Sequence, residues 1–155
     1  MVAGAAMGRF TRVLAFVLIA LAPTGAFAGP AEDASVLIDR WAVAFNDNNV
    51  DALVRLYAPE AILLSSVDPS IHEGTAGVRE YYAPVQGSGR KVEIGERHMT
   101  VLSDAVVVCT GLWKFIGTRD GKPFVNSARF RMVFTKRGND WTIVNHHSSS
   151  RPEPR

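Results

Sequence analysis

The order of apolar and polar residues predicts helices in the first part of the chain. Residues 29–49 open with acidic residues and then repeat apolar side chains at the spacing of an amphipathic helix: Leu37, Trp41, Ala44 and Phe45. Asp51 is the expected N-cap of a second, shorter helix that covers residues 51–58 and ends before Pro59. A third helix is expected over residues 75–84, with Thr75 as its N-cap.

Strand patterns fill the remainder of the chain. A strand is expected over residues 61–66, followed by a loop over residues 67–74. Four more are expected over residues 91–102, 105–118, 122–136 and 141–149, and the turn sequences RDG and RGND separate the last three. Helices followed by hairpin-linked strands indicate the α+β class. We therefore expect a cone-shaped, curved antiparallel β-sheet packed against N-terminal helices, with a mouth at its wide end.

The strand over residues 105–118 is apolar on both faces. One face carries Val107, Cys109, Trp113 and Phe115, and the other carries Val106, Val108, Leu112 and Ile116. An antiparallel sheet with one face in water normally alternates apolar and polar residues. The helices can cover one face, and a second copy of the chain is the simplest cover for the other. A homodimer that forms through the sheet is therefore expected.

The next strand separates an apolar face from a charged one. Phe130, Met132 and Phe134 form the expected core face, and Arg129 and Arg131 lie on the opposite face. A β-bulge that reverses this alternation would instead let Arg129 bind an acidic group of a ligand.

The first 28 residues have the pattern of a secretory signal peptide. Arg9 and Arg12 precede an apolar run over residues 13–22, and small residues then lead to an expected cleavage site after Ala28. The alternative is an uncleaved anchor, but an apolar run of this length is too short to span a bilayer as a helix. We expect a periplasmic or secreted protein in which residues 29–150 form one domain and residues 151–155 a disordered tail.

Charge and cysteine content exclude several classes of function. The chain has 17 basic and 15 acidic residues, and because two of the basic residues belong to the signal peptide, the remainder is balanced. No basic run indicates a nucleic-acid partner. The single cysteine, Cys109, cannot form an intrachain disulfide, and its apolar neighbours indicate a buried small side chain rather than a nucleophile.

Three segments resemble the nuclear transport factor two-like superfamily. RWAVAFNDNNVDALVRLYAPEAIL is similar to the opening of its SnoaL-like members, and HEGTAGVREYY resembles the start of their third helix. SARFRMVFTKRGNDWTIVNHHSS resembles the closing hairpin of bacterial proteins similar to the calcium/calmodulin-dependent protein kinase II association domain. The resemblance covers residues 35–150. It implies an α+β cone with a pocket between helices and sheet, and dimerisation through the sheet.

The resemblance also implies which residues occupy the pocket positions of the kinase association domain. That domain has arginines on the inner face of its last strands and a histidine in its third helix. The matching positions here are Gly111, Met132, Ser148 and Val78, none of which carries a charge. The anion-binding set of the kinase domain is therefore expected to be absent from this chain.

The adjacent histidines near the end of the last strand are the main candidates for chemistry. Neighbours on a strand point to opposite faces, so His146 and His147 must separate. The resemblance places Ser148 inward, and Val144 and His146 share its face, whereas Ile143, Asn145 and His147 share the other. His146 is then a candidate general base or hydrogen-bond donor in the pocket, because an unperturbed imidazole titrates at about pH 6.5. The alternative is a histidine that hydrogen-bonds a tyrosine or the backbone and only packs.

The predicted ligand site combines these residues with aromatic side chains. Its members are Trp41, Tyr57, Tyr82, Trp113, Arg129, His146 and His147. The two histidines diverge, and a metal would need a further ligand from His72 or Glu73, so we expect no metal and no cofactor.

Two functions remain open. The first is binding of a small apolar or weakly acidic molecule in an apolar pocket, together with isomerase or dehydratase chemistry if His146 acts as a base. The second is an assembly or interaction module without catalysis, because members of one fold serve many functions.

Overall fold

The computed structural model describes residues 29–152 and has the predicted α+β architecture. A six-stranded sheet has the order β2-β1-β6-β5-β4-β3, in which β1 and β6 run parallel and all other neighbours are antiparallel. The elements in chain order are α1 (Pro30–Asn46), α2 (Val50–Arg55), β1 (Tyr57–Leu64), β2 (His72–Glu73), α3 (Gly74–Tyr82), a 3₁₀ turn (Ala83–Val85), β3 (Lys91–Ser103), β4 (Val106–Arg119), β5 (Lys122–Arg137) and β6 (Asp140–Ser150). The signal-peptide prediction and the last part of the predicted tail fall on residues 1–28 and 153–155, which lie outside the described residues.

The helices lie on the inner face of the curved sheet. Helix α1 crosses β3, β4 and β6, and α3 packs against β1. The core face of β4 and β5 is the predicted one, since Val107, Cys109, Phe130, Met132 and Phe134 are all at most 2% exposed. Burial also raises the pKa of the Cys109 thiol to about 11, which fits a packed side chain rather than a nucleophile. No helix within residues 29–152 is both long and apolar enough to cross a membrane.

The region between α1 and β1 differs from the sequence prediction. The predicted helix over residues 51–58 ends at Arg55, and Tyr57 already begins β1. Tyr57 pairs with Ile143 of β6, whose N–H donates to the carbonyl of Leu56 at 2.9 Å. The register then shifts before Ile62, which accommodates Pro59 because proline has no N–H for the ladder. Pairing with a distant strand therefore overrides the local helical pattern.

Both predicted helix caps were also wrong. The side chain of Asn49 caps α2 by accepting from Ala52 N at 2.9 Å, while Asp51 forms an ion pair with Arg79 at 2.6 Å. Helix α3 begins at Gly74, whose φ of +66° suits glycine, rather than after a Thr75 cap. The end of the predicted loop over residues 67–74 is the short strand β2, which pairs with β1.

A β-bulge in β6 changes which residues face the core. Val133 pairs with Asn145, but the next residue of β5, Phe134, pairs with Ile143, so Val144 is the extra residue. Ile143 is fully buried and His146 is 3% exposed, although strict alternation would place them on opposite faces. The prediction that Ile143 shares the outer face with His147 was therefore wrong, and the inward orientation of His146 and Ser148 is confirmed.

Candidate functional site

Four polar aromatic side chains meet in the interior of the cone. They come from four separate elements and are Trp41 of α1, Tyr57 of β1, Tyr82 of α3 and His146 of β6. All are at most 5% exposed. We refer to these four residues as the aromatic network.

Short hydrogen bonds hold the aromatic network together. The hydroxyl groups of Tyr57 and Tyr82 lie 2.6 Å apart, and Trp41 Nε1 donates to them at 3.0 and 3.1 Å. Tyr57 Oη lies 2.7 Å from His146 Nδ1. Buried polar groups are costly unless they are paired, so each of these side chains depends on the others for its place in the core.

Burial fixes the protonation states in the aromatic network. Desolvation raises the pKa of both Tyr57 and Tyr82 well above the ordinary value, so both hydroxyl groups keep their protons. Desolvation, together with the neighbouring His147, lowers the pKa of His146 to about 3. His146 is therefore a neutral imidazole at physiological pH.

Two ring nitrogens beside the aromatic network have no hydrogen-bond partner within residues 29–152. They are Nε2 of His146 and Nε1 of Trp113, whose ring centroids lie 5.4 Å apart. The Trp113 ring also stacks on Trp41 and Phe130, at centroid distances of 5.0 and 4.4 Å. Stacking therefore stabilises the position of the Trp113 ring, although it does not supply a partner for its N–H.

A cavity of about 300 Å³ opens at the mouth of the cone, above the aromatic network. We call it the mouth cavity. Its apolar wall includes Phe45, Tyr82, Val85, Phe115, Phe124 and Ala128, and its polar wall includes Ser65, Asp68, Tyr81, Arg90, Arg119, Asn126 and Ser148. Tyr82 and Ser148 connect the two regions, since Ser148 is two residues beyond His146 on the inner face of β6.

The predicted site residues divide into three groups. Tyr82 lines the mouth cavity. Trp41, Tyr57, Trp113 and His146 come together beneath it, within the described core. The other two, Arg129 and His147, are exposed on the outer face of the sheet. The roles of these residues in binding or catalysis stay predictions.

The structure adds cavity residues that the sequence reasoning did not select. Arg119 and Asn126 continue the inner-face alternation of β4 and β5, so a polar residue at the end of a core-facing series was the available signal. Arg90 lies in the loop before β3, and no local pattern indicates its direction.

The inner positions implied by the resemblance are uncharged in the structure as well. Gly111, Met132, Ser148 and Val78 are all buried. A Cβ atom at Gly111 would lie 2.7 Å from both the carbonyl oxygen of Glu96 and the ring of Phe130, so the interior has no room for a longer side chain there.

We expect the neutral state of His146 to make folding dependent on pH. Its pKa is about 3 in the folded state and about 6.5 in an unfolded chain, so the unfolded chain binds the proton more readily. The stabilisation is present above about pH 6.5 and is lost as the pH falls towards 3. In denaturant titrations of the wild type, this group should lower the free energy of unfolding by roughly 1–2 kcal/mol between about pH 6.5 and about pH 5.

The variant His146→Phe removes the titrating group and keeps an aromatic ring. It should flatten this part of the pH dependence, whereas His147→Gln, a change at the exposed neighbour, should retain most of it. An unchanged slope in His146→Phe would show that His146 is not a buried neutral group.

Comparison with known proteins gives a consistent assignment. The family model of the calcium/calmodulin dependent protein kinase II association domain matches residues 31–152. A protein from Xanthomonas campestris, described as such a domain, is 31% identical and has a TM-score of 0.73, with 83% of this chain and 95% of that chain covered.

More distant structures share the fold. A nuclear transport factor 2 (NTF2-like) superfamily protein from Salmonella enterica is 18% identical, with a TM-score of 0.72 and coverage of 80% of this chain and 92% of that one. An NTF2-like protein with a cystatin-like fold from Novosphingobium aromaticivorans is 14% identical, with a TM-score of 0.66 and coverage of 77% and 80%. The chain thus has the fold of the NTF2-like superfamily, and within it belongs to the calcium/calmodulin dependent protein kinase II association domain family.

Proposed function

We propose that the protein binds a small, largely apolar molecule in the mouth cavity. The observation that carries the proposal is the cavity itself, which is formed between α3, the 3₁₀ turn and the inner face of the sheet. Its volume of about 300 Å³ and its wall, which combines aromatic and aliphatic side chains with polar ones, fit a small-molecule site.

The geometry supports binding more than isomerase or dehydratase chemistry. His146, the predicted base, lies beneath the cavity, and a group with a pKa of about 3 is a weak base at neutral pH. The carboxylate on the cavity wall is Asp68, which accepts from Ser70 N at 2.7 Å, and this hydrogen bond lowers its pKa. A carboxylate stabilised in this way is also a poor proton acceptor.

Filling the mouth cavity should abolish binding. Asn126 lines the cavity and the adjacent Val125 is 65% exposed on the other face of β5, so the two positions form a matched pair. Asn126→Trp should remove the ligand-induced rise in melting temperature, and Val125→Trp should keep it, because a ligand specific for the folded state stabilises it by mass action. The measurement is a thermal-shift screen of apolar acids, ketones and aromatic metabolites.

Two results of this screen would contradict the proposal. One is equal stabilisation of Asn126→Trp and wild type by the same ligand. The other is the absence of any stabilising compound for the wild type.

Assembly through the sheet is the second candidate function. The outer face of β4 and β5 carries Val106, Val108, Leu112, Ile116 and Val133, which are only partly buried in the single chain. Apolar residues concentrated on an open sheet face are typical of an interface. We propose that a second copy of the chain covers this face.

A charge in the centre of this face should prevent assembly. We expect Val108→Asp to sediment as a monomer at concentrations at which the wild type is dimeric, because pairing would bury the carboxylate without a partner. Thr75→Asp, at an exposed position of α3 away from this face, is the control and should stay dimeric. A dimeric Val108→Asp variant would show that the interface lies elsewhere. A monomeric wild type would contradict dimerisation.

We also propose that the protein is exported, on the basis of the signal-peptide pattern in residues 1–28. Helix α1 begins at Pro30, shortly after the expected cleavage site at Ala28. If the signal is used, protein recovered from the periplasm or the medium should have Gly29 as its N-terminal residue. Recovery of the chain from the cytoplasm with residues 1–28 intact would refute export.

A further inference from the structure

Two arginines stand at the mouth cavity, and they come from different parts of the chain. Arg119 ends β4, and Arg90 precedes β3. Arg90 is half-buried, whereas Arg119 is exposed.

Hydrogen bonds from the side chain of Asn48 hold the backbone at Arg90 in place. Asn48 is buried, and its side chain accepts from Gly89 N at 2.6 Å and donates to the carbonyl of Arg90 at 2.8 Å. The hydroxyl of Ser88 accepts from Arg90 N at 3.2 Å. Arg90 therefore starts from a defined backbone position although it lies in a glycine-containing loop.

The absence of a side chain at Gly117 lets the side chain of Arg90 pack closely against β4. A Cβ atom at Gly117 would lie 3.2 Å from Cγ of Arg90 and 3.0 Å from the ring of Phe124. The guanidinium of Arg119 lies over the same Phe124 ring, 5.3 Å from its centroid. Arg90 and Phe124 thus flank Gly117, and Arg119 lies over Phe124, so we call Arg90, Phe124 and Arg119 the mouth arginine cluster.

The two guanidinium groups of this cluster have no carboxylate partner within 4 Å in the described residues. Other arginines do, since Arg79 pairs with Asp51, Arg97 with Asp39 and Arg137 with Glu60. Two like charges in the wall of one partly apolar cavity repel each other, and a bound anion offsets that repulsion. Arginine also binds carboxylates through paired hydrogen bonds.

We infer that the mouth cavity selects a small organic acid with a single carboxylate, held by Arg90 and Arg119 while its apolar part lies against Phe45, Phe115 and Ala128. This inference rests on the proposed function, since it names the class of ligand for the same cavity. It places anion binding at the mouth, away from the uncharged inner positions Gly111, Met132 and Ser148.

The charge balance of the wall favours a monoanion over a dianion. The wall carries two arginines and one carboxylate, that of Asp68, so its charged side chains sum to about one positive charge. The carboxylate of Asp68 is engaged by Ser70 N and lies 3.4 Å from His72 Nε2, which directs it towards its own loop.

The volume limits the size of the acid. About 300 Å³ corresponds to roughly ten water volumes of about 30 Å³ each. A ligand with a single ring, or a short aliphatic chain, and one carboxylate matches this space.

The test compares isosteric ligands that differ in charge. Binding of phenylacetate, phenylacetamide and 2-phenylethylamine, and of hexanoate and hexanamide, is measured by isothermal titration calorimetry at neutral pH and low salt. The acid should bind roughly tenfold or more tightly than its amide, as expected for hydrogen bonds between charged groups, and the amine should bind least well.

Variants assign the selectivity to the mouth arginine cluster. Arg90→Gln and Arg119→Gln should each weaken binding of the acid roughly tenfold and leave the amide within about twofold. Arg40→Gln, at an exposed arginine of α1 that does not line the cavity, is the charge-matched control and should change neither.

The outcomes separate this inference from the proposed function. Equal binding of acid and amide by the wild type overturns the inference and leaves small-molecule binding in place. A loss in Arg40→Gln as large as that in Arg90→Gln also overturns it, because the effect would then be one of net charge. No binding of any of the five compounds by the wild type overturns both.

Discussion

The hydrogen bonds of the aromatic network are the constraint on which the structure depends. Trp41, Tyr57, Tyr82 and His146 belong to α1, β1, α3 and β6, so each bond crosses from one element to another. A buried polar group without a partner costs about 1–3 kcal/mol, and each member supplies a partner to the next. The network therefore sets the positions of the helices relative to the sheet as well as stabilising them.

The same network explains where open space remains in the cone. The interior is filled by stacked rings around Trp113, and Gly111 leaves no room for another side chain. The mouth cavity lies next to Ser148, and its lining combines aromatic and polar side chains. The interior of the cone thus has a neutral, tightly packed floor, and the mouth cavity above it has two arginines in its wall.

Sequence patterns predicted what depends on local periodicity. The hairpin strands end within two residues of their predicted bounds, and the core face carried by Phe130 and Met132 is confirmed, because turn residues and two-residue alternation are local signals. Tyr57 was assigned to a helix, since its pairing with Ile143 is a contact between distant parts of the chain. Arg90 was missed for the same reason, because a side chain of Asn48 determines its position.

The bulge at Val144 determines which of two neighbouring histidines the protein interior receives. Before the bulge the inward position is the odd-numbered Ile143. After the bulge the inward positions are the even-numbered His146 and Ser148, one residue out of phase. If Val144 were instead drawn into the ladder, with no bulge, the odd-numbered phase would continue to the end of the strand, turning His147 inward and moving His146 into solvent. The identity of the buried imidazole thus depends on how β6 pairs with β5, and a strand that lacked Val144 altogether would keep His146 facing the two tyrosines by plain alternation.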